Sequence, residues 1–253
     1  MQIRDLLYRV YERRLESALP REGLPRHVGV ILDGNRRWAR ASGAQAHQGH
    51  RAGGDKIRDF LGWCEEVRVE VVTLWLLSTD NLTRPQSELG PLLEIIEDVV
   101  RDLGSAGRWR VHPVGALDLL PDGTRRVLKE AEEATEHVDG VLVNVAVGYG
   151  GRREIADAVR SMLAERARAG TTLEELAETL TVEHIAEHLY TKGQPDPDLL
   201  IRTSGEQRLS GFLLWQSAHS EFYFCEAYWP AFRRVDFLRA IRAFAARHRR
   251  YGG

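Results

Sequence analysis

Cysteine is nearly absent from this chain. The two present, Cys64 and Cys225, lie far apart and form no CxxC pair. That excludes a disulfide framework and a cysteine-built metal site, and the expectation is two reduced, buried thiols in a cytoplasmic protein. Long apolar runs are missing too. No stretch approaches the roughly 18 residues of a membrane span, and the opening Met1-Gln2-Ile3-Arg4-Asp5 holds no apolar signal core. Neither sign of charge dominates: Lys and Arg total 35, Asp and Glu 37, for a net charge of -2. This balance lacks the basic footprint of a nucleic-acid binder, so no nucleic-acid partner is expected and any basic site has to be local. The chain also has no G-x-x-x-x-G-K-[ST], no G-x-G-x-x-G after a strand and no G-x-S-x-G. Their absence sets aside P-loop nucleotide enzymes, dinucleotide enzymes and nucleophile-elbow hydrolases. His47-Gln48-Gly49-His50 has poor spacing for zinc.

What the chain does have is alternation. A composition 43% apolar and 28% charged over 253 residues describes an ordinary globular protein, large enough for one α/β domain. Helical spacing of Ile3, Leu6, Leu7, Val10, Tyr11 and Leu15 predicts an N-terminal helix, ended by Pro20 and Gly23. That helix falls in a leading segment, 1–24, ahead of a main domain, 25–253. Short apolar runs at Val28–Leu32, Glu70–Leu77, Arg110–Val114, Val141–Val147, Asp198–Arg202 and Phe222–Cys225 read as strands. Between them the 3.6-residue period recurs, as in Ile57, Phe60, Leu61, Cys64 and in Leu89, Leu92, Leu93, Ile96. Ser42–Gly54, with separated glycines and two histidines, reads as a flexible loop at the edge of a ligand site. The pattern predicts a single α/β domain with a central, mainly parallel six-stranded sheet flanked by helices.

The chemistry concentrates where strands end, which is where such sheets bind ligands. Val28–Leu32 runs into Asp33, Gly34, then Asn35, Arg36, Arg37 and Trp38 at a helix start. Free N–H groups there face an anion, and two guanidiniums add forked donors for phosphate oxygens. A carboxylate beside a phosphate is repulsive unless a divalent cation lies between them. Asp and Gly also suit ordinary turns and N-caps, so this stretch alone leaves both readings open. Later strands end in Ser78, Thr79, Asp80, Asn81, Leu82 and Arg84, in Gly148–Arg152, and in Arg202, Glu206, Arg208 and Ser210. A salt-bridge network of those arginines with Glu206 and Glu221 is the plainer alternative.

Several long, ordered motifs resemble the cis-prenyltransferases, the undecaprenyl diphosphate synthase family. They are HVGVILDGNRRWA (His27–Ala39), Gly49-His50, STDNLTRP (Ser78–Pro85), NVAVGYGGR (Asn144–Arg152), DLLIRTSGEQRLSGFLL (Asp198–Leu214) and Trp215–Glu221. Nearly the whole chain after about residue 25 takes part, and the short-chain actinobacterial (2Z,6E)-farnesyl diphosphate synthases look nearest. The resemblance implies condensation of isopentenyl diphosphate with an allylic diphosphate, geranyl diphosphate above all, by a Mg2+-dependent homodimer. Its product tail would occupy an apolar tunnel between sheet and helices, with peripheral membrane contact at product release. A longer-chain synthase or a non-catalytic scaffold subunit is the alternative; scaffolds tend to lose the opening Asp, which is present here as Asp33.

Carried over by motif, Asp33, Asn35, His50 and Asn81 are the catalytic positions. Asp33 and Glu221 are the metal ligands, Glu221 acting across the dimer. The diphosphates and reacting carbons would meet Gly34, Asn35, Arg36, Arg37, Trp38, His50, Ser78, Thr79, Asp80, Asn81, Leu82 and Arg84. Isopentenyl diphosphate would meet Arg202, Arg208 and Ser210, and Arg250 of the C-terminal segment would reach a partner's site. Asp80 replaces the family's usual Glu and Leu82 its usual Trp. Ala46 stands where an arginine often contacts phosphate, a contact that Arg51 could supply instead. Leu76 stands where long-chain members carry a small residue, which implies a shortened tunnel and a C15 product.

Overall fold

The computed structural model describes residues 3–20 and 22–251. The chain runs α1 (Ile3–Ser17), β1 (His27–Ile31), α2 (Asn35–Ala41), α3 (Ala46–Glu66), β2 (Val71–Ser78), α4 (Gln86–Ser105) and β3 (Arg110–Val114). It continues with α5 (Asp122–Thr135), β4 (Leu142–Tyr149), α6 (Gly151–Arg168), α7 (Leu173–Thr179), α8 (Val182–Ala186), β5 (Leu199–Arg202), β6 (Glu221–Phe224) and α9 (Arg234–Tyr251). The six strands form one sheet in the order β3-β4-β2-β1-β5-β6. Every pairing is parallel, so the expected mainly parallel sheet is parallel throughout.

Parallel strands are covered on both faces and read as continuous apolar runs, which is how the strands could be found. The larger core packs α3, α4, α5 and α9 on one face, around Phe60, Leu74, Val145, Trp229 and Phe237. The smaller core, on the other face, holds Ile31, Leu200, Phe212 and Tyr149. From β1 the chain moves outward through β2 on one side, and later through β5 on the other. That reversal opens a crevice at the carboxyl ends of β1 and β5, the usual ligand position in such sheets. Among the described residues no helix is long and apolar enough to cross a membrane.

One expectation is overturned. Much of Ser42–Gly54 is not a loop, because α3 begins at Ala46 and runs through its glycines. Those glycines serve close approach rather than flexibility. A Cβ at Gly49 would lie 2.2 Å from the Asn35 carbonyl oxygen, and one at Gly53 would lie 2.4 Å from Asn35 Oδ1. Trp229 then clamps the same place, donating from Nε1 to the Gly53 carbonyl at 2.7 Å. Glycine costs a helix about 1 kcal/mol relative to alanine, but here a methyl group would drive α3 off α2. Gly49→Ala should therefore destabilise the fold by about 1–3 kcal/mol, the usual range for overpacking. Urea denaturation checks this, and a gain in stability would contradict the close-packing role.

Candidate active site

Ile31 of β1 pairs with Arg202 of β5, so the two strands deliver Asp33 and Arg202 to the same crevice. Arg202 is buried, 5% exposed. Its Nη2 donates to Asp33 Oδ2 at 2.8 Å, and its Nη1 donates to Ser210 Oγ at 2.8 Å and to the Arg208 carbonyl. Arg37 Nη2 reaches Asp33 Oδ1 at 3.4 Å and Ser204 Oγ at 2.6 Å. Thr203 secures the backbone: its Oγ1 accepts from Asp33 N at 3.0 Å and donates to Asp33 O at 2.7 Å. Burial pushes the Asp33 carboxyl up, but Arg202, Arg37 and Ser204 outweigh it and hold the group below its ordinary value. Asp33 is therefore ionised at neutral pH.

Gly34 sits at φ 102°, and a Cβ there would meet Tyr228 Cδ1 at 2.7 Å and Ser204 Cβ at 3.0 Å. No side chain caps α2, so its first N–H groups lack intrahelical acceptors and open on the crevice. Trp38 N already donates to Gly34 O at 2.8 Å. The loop after β5 carries Ser204 at φ 78° and Ser210 at φ 53°. Left-handed backbone costs a non-glycine residue about 1–3 kcal/mol and tends to mark functional loops.

A cavity of about 740 Å³ fills the crevice. Six arginines line it: Arg36, Arg37, Arg40, Arg84, Arg202 and Arg208. Glu206 pairs with Arg37 at 3.1 Å and also with Arg208. Glu88 pairs with Arg36 at 3.2 Å and Arg84 at 2.9 Å. Asn81 Oδ1 accepts from Arg84 Nη2 at 2.9 Å, and Ser78 Oγ accepts from Asn81 N at 3.2 Å. Below this polar cavity lies an apolar pocket of about 40 Å³. Leu32, Asn35, His50, Leu76 and Leu92 line both spaces. Two buried polar atoms at this junction, Asn35 Oδ1 and His50 Nε2, have no hydrogen-bond partner. Burial lowers the His50 pKa to about 4, and the charges of Arg84 and Arg36 add to the shift. His50 is therefore neutral in the free protein: it can exchange hydrogen bonds but carries no imidazolium charge.

The structure thus gathers Asp33, Gly34, Asn35, Arg36, Arg37, His50, Ser78, Asp80, Asn81, Arg84, Arg202, Arg208 and Ser210 around one space. It does not bring the other expected residues to the cavity wall. Trp38 is partly buried beside it. Thr79 packs against Gly150, and Leu82 turns toward Gly148 and the core, because the chain leaves β2 in a tight 3-10 turn. Glu221 begins β6, paired with Leu199 at the end of the sheet away from Asp33, and bonds Arg247 at 2.8 Å. The side chain of Arg250 lies outside the described residues. Arg51 pairs with Asp98 at 2.8 Å and lines a different groove, so it does not replace the cation missing at Ala46. The residues that sequence reasoning missed are Arg40 and Trp75. Arg40 lies one turn beyond Arg36 on the same face of α2, a spacing that could have found it. Among the described residues no group of three or more His, Cys, Asp or Glu side chains is poised to hold a metal.

The family model for undecaprenyl diphosphate synthase matches residues 31–252. This chain belongs to that family of prenyltransferases. It is 70% identical over 251 residues to the (2Z,6E)-farnesyl diphosphate synthase of Thermobifida fusca, covering 99% of this chain and 98% of that one. It is 56% identical over 255 residues to the short-chain Z-isoprenyl diphosphate synthase of Mycobacterium bovis, covering 99% and 97%. In three dimensions it resembles lavandulyl diphosphate synthase from Lavandula x intermedia, solved with dimethylallyl diphosphate. That match has a TM-score of 0.82 and 32% identity, and covers 88% of this chain and 95% of the other. The crevice of this prenyltransferase combines local charge pairs, Arg37–Asp33, Arg84–Glu88 and Arg208–Glu206, with pairs that join distant segments, Arg202–Asp33, Arg37–Glu206 and Arg36–Glu88.

The His50 shift has a thermodynamic signature. An unfolded histidine titrates near 6.5 and the folded one near 4, so between those values the unfolded chain holds the extra proton and stability falls as pH falls. His50→Gln should flatten that decline between about pH 6.5 and 4. Urea denaturation across the pH series reads it, and an unchanged slope would contradict the buried, neutral state of His50.

Proposed function

We propose that the enzyme joins isopentenyl diphosphate to geranyl diphosphate and releases (2Z,6E)-farnesyl diphosphate, with Mg2+ required and the homodimer as the working unit. The observation that carries this reading is an ionised carboxylate, Asp33, set between the guanidiniums of Arg37 and Arg202 in the arginine-lined cavity that shares a wall with the apolar pocket. The donor set suits Mg2+, which typically binds one or two carboxylates together with substrate phosphate oxygens. Arg37 and Arg202 would repel a bare cation, so the metal fits as the companion of a diphosphate. When bound, Mg2+ supplies Lewis-acid stabilisation of the departing diphosphate. Glu221 lies too far along β6 to reach its own Asp33 and serves a metal only across a dimer, as Arg250 would serve a partner's cavity. The open edge of β6, with Phe222 and Phe224 stacked at 6.4 Å, suits that assembly.

In this reading α2 holds the allylic diphosphate through its first N–H groups and Arg37. Arg36, also on α2, and Arg84 add charge where Glu88 and Asn81 position them. Once Asp33 is engaged, Arg202 loses its carboxylate. A buried guanidinium without a counterion is strongly destabilised, so Arg202, with Arg208 and Ser210, then draws in the second diphosphate. Filling the first subsite thereby prepares the second. The allylic C–O bond breaks and a C–C bond forms to the isopentenyl double bond. A proton is then lost, with the departing diphosphate a candidate acceptor. Asn35 and His50 face this level with unpartnered polar atoms and orient the groups there.

Product length follows from the pocket. The register of β2 against β4 slips between Trp75 and Leu77, leaving Leu76 as a bulge residue between cavity and pocket. Its side chain narrows the way into a space of only about 40 Å³, which suits a short tail. Asp33→Ala should lower turnover by ~10²–10³ or more in a chain that still folds, with about 3–5 kcal/mol of stability lost by stranding Arg202. The assay is incorporation of radiolabelled isopentenyl diphosphate by the purified protein alone, with dimethylallyl, geranyl or farnesyl diphosphate, with Mg2+ or a chelator. Full activity of the variant, or no activity of the parent with any primer, would overturn the reading. Leu76→Ala should shift products beyond C15 on chromatography, and an unchanged chain length would remove Leu76 as a gauge.

A further inference from the structure

The apolar pocket and the surface groove between α3 and α4 are two sides of one thin wall. The groove encloses about 410 Å³ and shares Gly54, Ile57 and Val99 with the pocket. Gly54 contributes no side chain, and a Cβ placed on it would lie 2.8 Å from Val99 Cγ2 and 3.5 Å from Ile95 Cγ2. The wall at this point is therefore the isopropyl group of Val99 resting on the backbone of α3. Outside it, two ion pairs tie the helices together: Arg51 to Asp98 at 2.8 Å, and Arg58 to Asp102. They lie about one helical turn to either side of Gly54. Their side chains are about half exposed, so each pair is individually weak and sensitive to salt.

This arrangement is separate from Leu76, which belongs to the sheet and sits where the polar cavity meets the pocket. Val99 belongs to α4 and stands at the far side, between the pocket and solvent. An apolar chain that reaches Val99 meets a closed end. With that side chain removed, the same chain would continue into the groove along Ile57 and Leu103, under the stems of Arg51 and Arg58. Long arginine side chains cover apolar surface with their methylenes while the charged head stays in water, so the groove can accept a further isoprene unit.

We propose that Val99, seated on Gly54, is a specificity-determining residue that closes the tail pocket against the α3–α4 groove and so ends chain growth. The proposal deepens the functional reading above and rests on it. The paired ions Arg51–Asp98 and Arg58–Asp102 hold the seam shut around this contact.

The test compares products of the parent enzyme, V99A, V99T and the double variant D98N/D102N, using radiolabelled isopentenyl diphosphate with geranyl diphosphate and reversed-phase separation. Each distribution is normalised to total label incorporated, so a change in rate does not enter. V99A should raise the ratio of products longer than C15 to C15 itself by at least tenfold. V99T keeps the shape of the wall and should retain the parent distribution. D98N/D102N leaves the pocket lining intact and should shift products in the same direction by a smaller factor, as should raised ionic strength on the parent. A folded V99A with the parent's distribution would overturn the proposal. If V99A does not fold, a parent-like distribution from D98N/D102N at both low and high salt overturns it instead. A parent enzyme that already makes long products overturns it too, whereas a parent inactive with every primer overturns the underlying functional reading.

Discussion

The ion pair between Asp33 and Arg202 is the interaction on which the site depends. Arg202 is almost fully buried at the end of β5, and stranding a buried charge costs about 3–5 kcal/mol. Its carboxylate partner must therefore stand beside it in the free protein. The parallel register of β1 and β5 puts it there, and Thr203 holds the Asp33 backbone at both N–H and C=O. The same pair makes the site responsive, because whatever claims Asp33 leaves Arg202 in need of another anion.

The remaining charges of the crevice are balanced more loosely. Glu206 stands between Arg37 and Arg208, and Glu88 between Arg36 and Arg84. Arg36, Arg37 and Arg208 are 41–62% exposed. Exposed pairs of this kind contribute roughly 0–1 kcal/mol, so they are broken at little cost. Glu206 and Glu88 keep the cations of the cavity from repelling one another.

Beneath the charges, shape is set by backbone. Glycines at 49 and 53 bring α3 against Asn35, which fixes Asn35 and His50 at the boundary between the polar and apolar spaces. The slipped register of β2 sets Leu76 at the same boundary. These contacts set the shape of the boundary between the two spaces, and none of them involves a charged group.

Much of this was readable from the chain alone. Buried parallel strands are nearly all apolar, so the six runs announced themselves, and the polar residues after each strand marked the rim. The ordered motifs carried the family. The helix through Gly49, Gly53 and Gly54 reads locally as a loop because glycine's preference opposes helix, while the contacts that require it come from Asn35, Val99 and Trp229 elsewhere in the chain. Thr79 and Leu82 sit in a polar-looking strand exit, yet a 3-10 turn takes them out of the cavity wall. By itself, the sequence determined the elements, the parallel class and the identity of the charged residues, because periodicity and residue chemistry are local properties. Only the tertiary structure decided which charges neutralise which, that His50 is neutral, and how small the space beneath them is. Ion pairing, desolvation and cavity shape depend on residues far apart in the chain coming within a few ångströms of one another.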